Sequence, residues 1–243
     1  MSILDLLQVY QYDTKIRLGV NYDGGYVIGD LSGTYDLYIS AGVSNEESFS
    51  RDFIAKYDMD KTNSYAFDGT IEDYPYNYTK NITFVKKQIG GINNDTITNL
   101  SFLIDKYNAI FLKMDIEGSE YPWLLSISQE QLNNFKQIVI EIHGIWYDGP
   151  YGYPEDWNTS NSKKILCLEK LATTHYLIHV HGNNHSLQKD KISDVIELTY
   201  VNKNYFTTIP NFNKTLLPIK DIDFPNNPNA IEHNLNFYPF VHQ

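Results

Sequence analysis

An apolar run that breaks abruptly into acids constrains this chain more than any other feature. Ala109 to Leu112 is apolar, and the chain continues Lys113-Met-Asp-Ile-Glu-Gly-Ser-Glu120, with Gly118 opening a predicted helix. A short apolar run closed by such a turn reads as a buried parallel strand. In open α/β sheets, ligands sit just beyond the carboxyl ends of the strands. Asp115 and Glu117 therefore fall where such a fold keeps its chemistry.

The surrounding pattern alternates between strand and helix. Residues 36–40 predict a first strand, and 48–57 a helix with Phe49, Phe53 and Ile54 on one side and Ser44 or Asn45 as N-cap. Strands follow over 63–67 and 81–87, and helices over 100–107 and 121–125. Residues 137–143 are a β-branched strand, 162–172 an amphipathic helix, and 176–181 and 195–201 two late strands. This alternation predicts an α/β, doubly wound, mostly parallel sheet. With no helix between them, the two late strands predict an antiparallel edge hairpin. The chain is expected to form a single domain over 1–243. In it, 1–30 is a covering segment for substrate or cofactor, and the Asn- and Pro-rich 210–243 is a meandering surface tail.

The formal net charge of −11 argues against a nucleic-acid backbone or an anionic membrane as partner. The single cysteine, Cys167, excludes a disulfide framework and is expected to pack as a small hydrophobe. No basic and apolar leader opens the chain, and no apolar run approaches the ~20 residues of a membrane span. The expected setting is cytoplasmic.

The first strand ends in Ser40-Ala-Gly-Val, with Gly42 the only glycine of the loop. Pyrophosphate-containing dinucleotides want Gly-x-Gly-x-x-Gly at this point. A ligand without a pyrophosphate needs only one close backbone approach. Asp68 ends the second strand 26 positions after Gly42, about where an acid commonly binds a ribose diol. The pair suits an adenosyl ligand such as S-adenosylmethionine.

Five ordered elements add to this reading: Arg17-Leu-Gly with Asp23-Gly-Gly-Tyr26, Tyr38-Ile-Ser-Ala-Gly-Val43, Phe67-Asp68, Leu112-Lys-Met-Asp-Ile-Glu-Gly-Ser-Glu120, and Ile140-Glu-Ile-His143. Together they resemble the FkbM-like class I S-adenosylmethionine-dependent methyltransferase family, over roughly 17–181. The resemblance implies a seven-stranded Rossmann-like sheet of order 3-2-1-4-5-7-6 with the last strand antiparallel. It also implies O-methylation, often of sugars or polyketide-type hydroxyls. Gly42 and its neighbours Ser40 and Ala41 would line the methionine part, with Tyr26 and Asp115 nearby, and Asp68 would bind the ribose. The first loop, Ser40-Ala-Gly-Val-Ser44, carries fewer glycines than is usual in that family.

Side chains two apart on a strand share a face, so Glu141 and His143 point the same way. With strand four as neighbour, Asp115, Glu141 and His143 can converge. Three readings stay open there. They can hold Mg²⁺ or Mn²⁺, which would lower the pKa of a bound hydroxyl. His143 can be a general base oriented by a carboxylate. Or the groups can simply bond loop backbone. His181 is a candidate for substrate contact or base, whereas His179 reads as packed.

The loop 144–157 is dense in aromatics, and Trp146 and Tyr147 suit stacking on a sugar ring. Asn183 and Asn184 offer paired donors and acceptors to a polyhydroxylated substrate. The expected function is O-methylation of a sugar, including a nucleotide-linked sugar destined for a surface polysaccharide. A non-catalytic sugar- or nucleotide-binding module and a nucleotide-dependent oxidoreductase are the alternatives.

Overall fold

The computed structural model describes residues 2–146 and 159–242. Seven strands form the central sheet, numbered here along the chain: β1 Leu37–Ala41, β2 Ser64–Phe67, β3 Thr83–Val85, β4 Ile110–Met114, β5 Phe135–Ile142, β6 His175–Gly182 and β7 Ile196–Asn202. Their spatial order is β3-β2-β1-β4-β5-β7-β6, the order the resemblance implies. The sheet is mixed, which narrows the expectation of a mostly parallel one. Pairings from β3 through β5 are parallel. β7 runs antiparallel to both β5 and β6, through the longest strands of the sheet.

The helices are α1 Ile3–Leu6, α2 Ser48–Lys56, α3 Ser101–Ile104, α4 Glu120–Ser126, α5 Gln129–Asn133 and α6 Asn161–Thr174. One face of the sheet packs Leu112, Ile138, Ile140 and Leu198 against Trp123, Leu124, Leu168 and Leu171 of α4 and α6. Cys167 lies in this layer, fully buried, and burial pushes its thiol up to about 12. On the other face α2 sets Phe49 and Phe53 against Tyr38 and Phe111. Strands buried on both faces read as apolar runs, which is why their positions are legible in the sequence.

Two local expectations are corrected. The helix expected over 100–107 is a single turn, Ser101–Ile104, and Leu100, left-handed (φ 68°), is its N-cap rather than its first residue. The second helix, α2, begins at Ser48, so its N-cap is Glu47 rather than Ser44 or Asn45, and Ser44 is left-handed (φ 49°) in the loop before it.

The segment 1–30 covers the antiparallel half of the sheet. Its hairpin, Lys15–Leu18 with Tyr26–Gly29, lies over the second face. Gln137 bonds both backbone groups of Gly29, and Thr199 donates to the Val27 carbonyl. The tail follows an irregular path with buried anchors. Leu217, Leu235 and Phe240 are fully buried in the main core, and Asn213 bonds the carbonyls of Thr215 and Phe240 from a fully buried position. Ile219, Phe237 and Val241 pack against the same core, partly buried. Among the described residues no helix is long and apolar enough to cross a membrane.

Candidate active site

The loop after β1 meets the loop after β4 at the point where strand order reverses, and Gly42 makes the meeting possible. Its φ is +81°, and a Cβ there would lie 1.7 Å from the Asp115 carbonyl oxygen. Asp115 N–H donates to the Ala41 carbonyl and Gly42 N–H to the Phe67 carbonyl. The close approach that the sequence suggests for a ligand is thus first an approach of backbone to backbone.

Asp68 organises the same loop. Its carboxylate accepts from Val43 and Ser44 N–H, both at 3.0 Å, and from the N–H and hydroxyl of Thr70. Burial alone would raise its pKa, but these bonds outweigh burial and hold it below the usual carboxylate range. The result is a cleft of about 580 Å³ across the carboxyl ends of β1, β2 and β4. Gly42, Val43 and Asp68 line it, with Gln88 and Ile89 at one end and Asp23, Tyr26, Lys113 and Asp115 at the other. Tyr26 donates its hydroxyl to Asp115 at 3.0 Å. Ser40 and Ala41 do not line the cleft. Both are fully buried, and the Ser40 hydroxyl donates to Glu47 beneath the loop.

A second cleft, of about 500 Å³, adjoins the first and shares Asp23, Asp115 and Glu117 with it. Glu141, His143, Asn183 and Ser186 are among its other lining residues. His143 sits at its centre, just past β5. Nε2 lies 3.4 Å from Glu117 and 3.9 Å from both Asp115 and Glu141, and Nδ1 lies 3.0 Å from Glu120. Glu120, with no solvent exposure, also accepts from the N–H groups of Ile116 and Gly118. It therefore fixes both the histidine and the turn that carries Glu117.

This density of carboxylates sets the local electrostatics. Burial opposes the imidazolium of His143, but Glu120, then Glu141 and Asp115, hold it well above the usual histidine range. Burial, then the charges of Asp115 and Glu197, raise Glu141 well above the usual carboxylate range. Asp23 is raised by burial and by Asp115. Ligand atoms of Asp115, Glu117 and His143 lie within 4.8 Å of one another, a grouping that fits one cation. Of the metal set expected from sequence, Asp115 and His143 fall in this grouping; Glu117 joins them, and Glu141 lies 3.9 Å from Nε2 of His143 outside it.

Other expected residues fall elsewhere. Asn183 is in the second cleft and donates to Glu141 at 2.9 Å. Asn184 instead anchors the tail, bonding the Asn227 carbonyl and N–H. His181 lies outside both clefts, between Glu197 at 3.3 Å and Glu232 of the tail at 3.2 Å. His179 is packed, as expected, and bonds Asp223. Trp146 is half-buried and donates to Asp194 and to the Ile192 carbonyl. Tyr147 and the aromatic residues up to Trp157 lie outside the described residues.

Glu120 and Lys113 were not singled out from sequence as site residues, and Glu117 was placed at the site without a role as a ligand. Each had a signal. Lys113 interrupts an apolar strand, and Glu117 and Glu120 flank the only glycine of the turn.

The fold and these adjoining clefts define an α/β enzyme of the methyltransferase type. Residues 8–201 match the Methyltransferase FkbM domain family, and the chain belongs to it. The family implies S-adenosylmethionine as methyl donor. A crystal structure of a SAM-dependent methyltransferase from Aquifex aeolicus is 14% identical, with 69% of this chain and 82% of that one covered and a TM-score of 0.32. None of the curated proteins compared with the chain matches it.

Proposed function

We propose that the protein transfers a methyl group from S-adenosylmethionine to a hydroxyl of a sugar. The observation that carries this is the shared wall: the first cleft opens onto the second through Asp23, Asp115 and Glu117, with His143 and Glu141 beyond. A donor in the first and an acceptor in the second would meet at these three residues, and positioning supplies much of the rate of an in-line displacement.

The first cleft suits the donor. Gln88 and Ile89 flank the end that would take the adenine, Asp68 lies between, and the acids at the other end suit a cation. When bound, the donor supplies a methyl on a sulfonium sulfur, which leaves as a neutral thioether. The chain supplies position and a place for the proton. The acceptor oxygen forms the new C–O bond as its O–H bond breaks, and the proton goes to Glu141. Oε1 of Glu141, 3.9 Å from Nε2 of His143, is placed at the cleft to take it. Asn183, bonded to Glu141, keeps that oxygen turned toward the cleft. His143 enters this step as the imidazolium and orders the carboxylates around it.

A second reading of the cluster rests on the Nδ1 bond to Glu120. Metal-binding histidines commonly give their other ring nitrogen to a carboxylate. Asp115, Glu117 and His143 would hold Mg²⁺ or Mn²⁺, whose contribution would be to lower the pKa of the acceptor hydroxyl.

The sugar assignment draws on the polar rim, with Asn183 and Ser186, and on the family. The test is a panel of free glycosides, nucleotide sugars and phenols with labelled donor, each assayed with EDTA and with added Mn²⁺, and mass spectrometry to locate the methyl. Methylated sugars support the reading, and methylation of phenols alone ends it. Activity that survives EDTA removes the metal.

A further inference from the structure

Lys113 is the one lysine, arginine or histidine among the described residues lining the first cleft. It sits within β4, 6% exposed, and its charge offsets that of the buried Glu47 beneath the Gly42 loop. Its ammonium donates to the Gly42 carbonyl at 2.7 Å and lies 5.5 Å from the centre of the Tyr26 ring. An ammonium has three donors. Among the described residues one is taken by a protein oxygen, and the side chain borders open cleft.

The rest of the charged lining is acidic. At the Lys113 end stand Asp23, Asp115 and Glu117, while Asp68, further along, spends its oxygens on the loop. The amino-acid end of S-adenosylmethionine carries two positive centres, ammonium and sulfonium, and one carboxylate. In this cleft the carboxylate has one cation to meet, and the positive centres have several acids.

We infer that Lys113 binds the carboxylate of the donor's amino-acid end and so fixes which way round the donor lies. The inference rests on the methyltransferase reading above and assigns a residue to it. The lysine also tethers the Gly42 loop, so loss of affinity on mutation would not by itself separate recognition from loop support. The separating quantity is the preference for a ligand that has the carboxylate over one that lacks it.

Calorimetry with S-adenosylhomocysteine and its decarboxylated analogue, S-adenosyl-3-thiopropylamine, reads this preference directly. The wild type is expected to prefer the first by about tenfold or more, the range of a charge-assisted hydrogen bond. Lys113→Met is expected to bind both alike, and Lys113→Arg to keep most of the preference. A Lys113→Met protein that still prefers the carboxylate overturns the inference, as does a wild type that binds both alike. Should Lys113→Met not fold, Lys113→Gln and the wild-type comparison decide on the same criteria. If the wild type binds neither ligand, the methyltransferase reading itself has failed.

Discussion

Nδ1 of His143 lies 3.0 Å from Oε1 of Glu120, a carboxylate wholly shielded from solvent. The bond leaves Nε2 facing Asp115, Glu117 and Glu141, so a residue outside the cleft decides how the cleft's histidine presents itself. The other oxygen of Glu120 is buried and, among the described residues, has no hydrogen-bond partner.

Glu120→Gln keeps the size of the side chain and removes its charge. Breaking a buried pair of this kind typically costs about 3–5 kcal/mol. The variant is expected to unfold at markedly lower urea and to lose turnover far more than donor affinity. The ion pair also has a pH signature in EDTA. His143 is raised in the folded state, so its stabilisation is complete below the unfolded histidine value, near 6.5, and fades as pH rises through the folded one. The stability gap between wild type and His143→Gln should therefore shrink from neutral to alkaline pH.

Gly42→Ala places a methyl on the Asp115 carbonyl and a side chain at φ +81°. The strained backbone alone costs roughly 1–3 kcal/mol, and the loops must also part. The melting temperature is expected to fall and donor binding to be lost. Unchanged calorimetry would mean that the two loops move apart without cost.

Asp68→Asn removes the charge and one of the two oxygens that between them accept four loop bonds. The folded carboxyl is held low, so its stabilisation is present above the unfolded value of about 3.9 and is lost as pH falls through the folded one. The stability difference from wild type should be level near neutrality and vanish in acid, with donor affinity reduced at neutral pH.

His181→Gln separates the tail from the reaction centre. Glu197 and Glu232 hold His181 well above the usual histidine range against the effect of burial. Wild type should exceed the variant in stability most clearly at mildly acid pH, and less as pH rises. Turnover of the folded variant at saturating donor should stay near wild type. A collapse of turnover with stability intact would restore His181 to the reaction.

Much of the fold is legible because its strands are apolar on both faces and its turns are marked by glycine and acid. Asp115 and His143 are legible as site residues for the same reason: they end strands. What escaped the sequence is tertiary. Asn183 and Asn184 are neighbours of one residue type, yet one faces Glu141 and the other holds the tail. His181 is directly opposite Glu197, which is opposite Glu141, so it lies in the row of the active site but two strands away. Strand periodicity assigns a face, not a distance along it. Glu120 hides because a carboxylate in the first turn of a helix ordinarily reads as a favourable charge near the dipole.

The most direct test is methyl transfer by His143→Ala. Labelled methyl transfer to sugar acceptors and calorimetric donor affinity would be measured on the variant and the wild type together. The account predicts no transfer by the variant with donor affinity close to wild type. Transfer at the wild-type rate would contradict it and move the chemistry away from the cluster of Asp115, Glu117, Glu141 and His143.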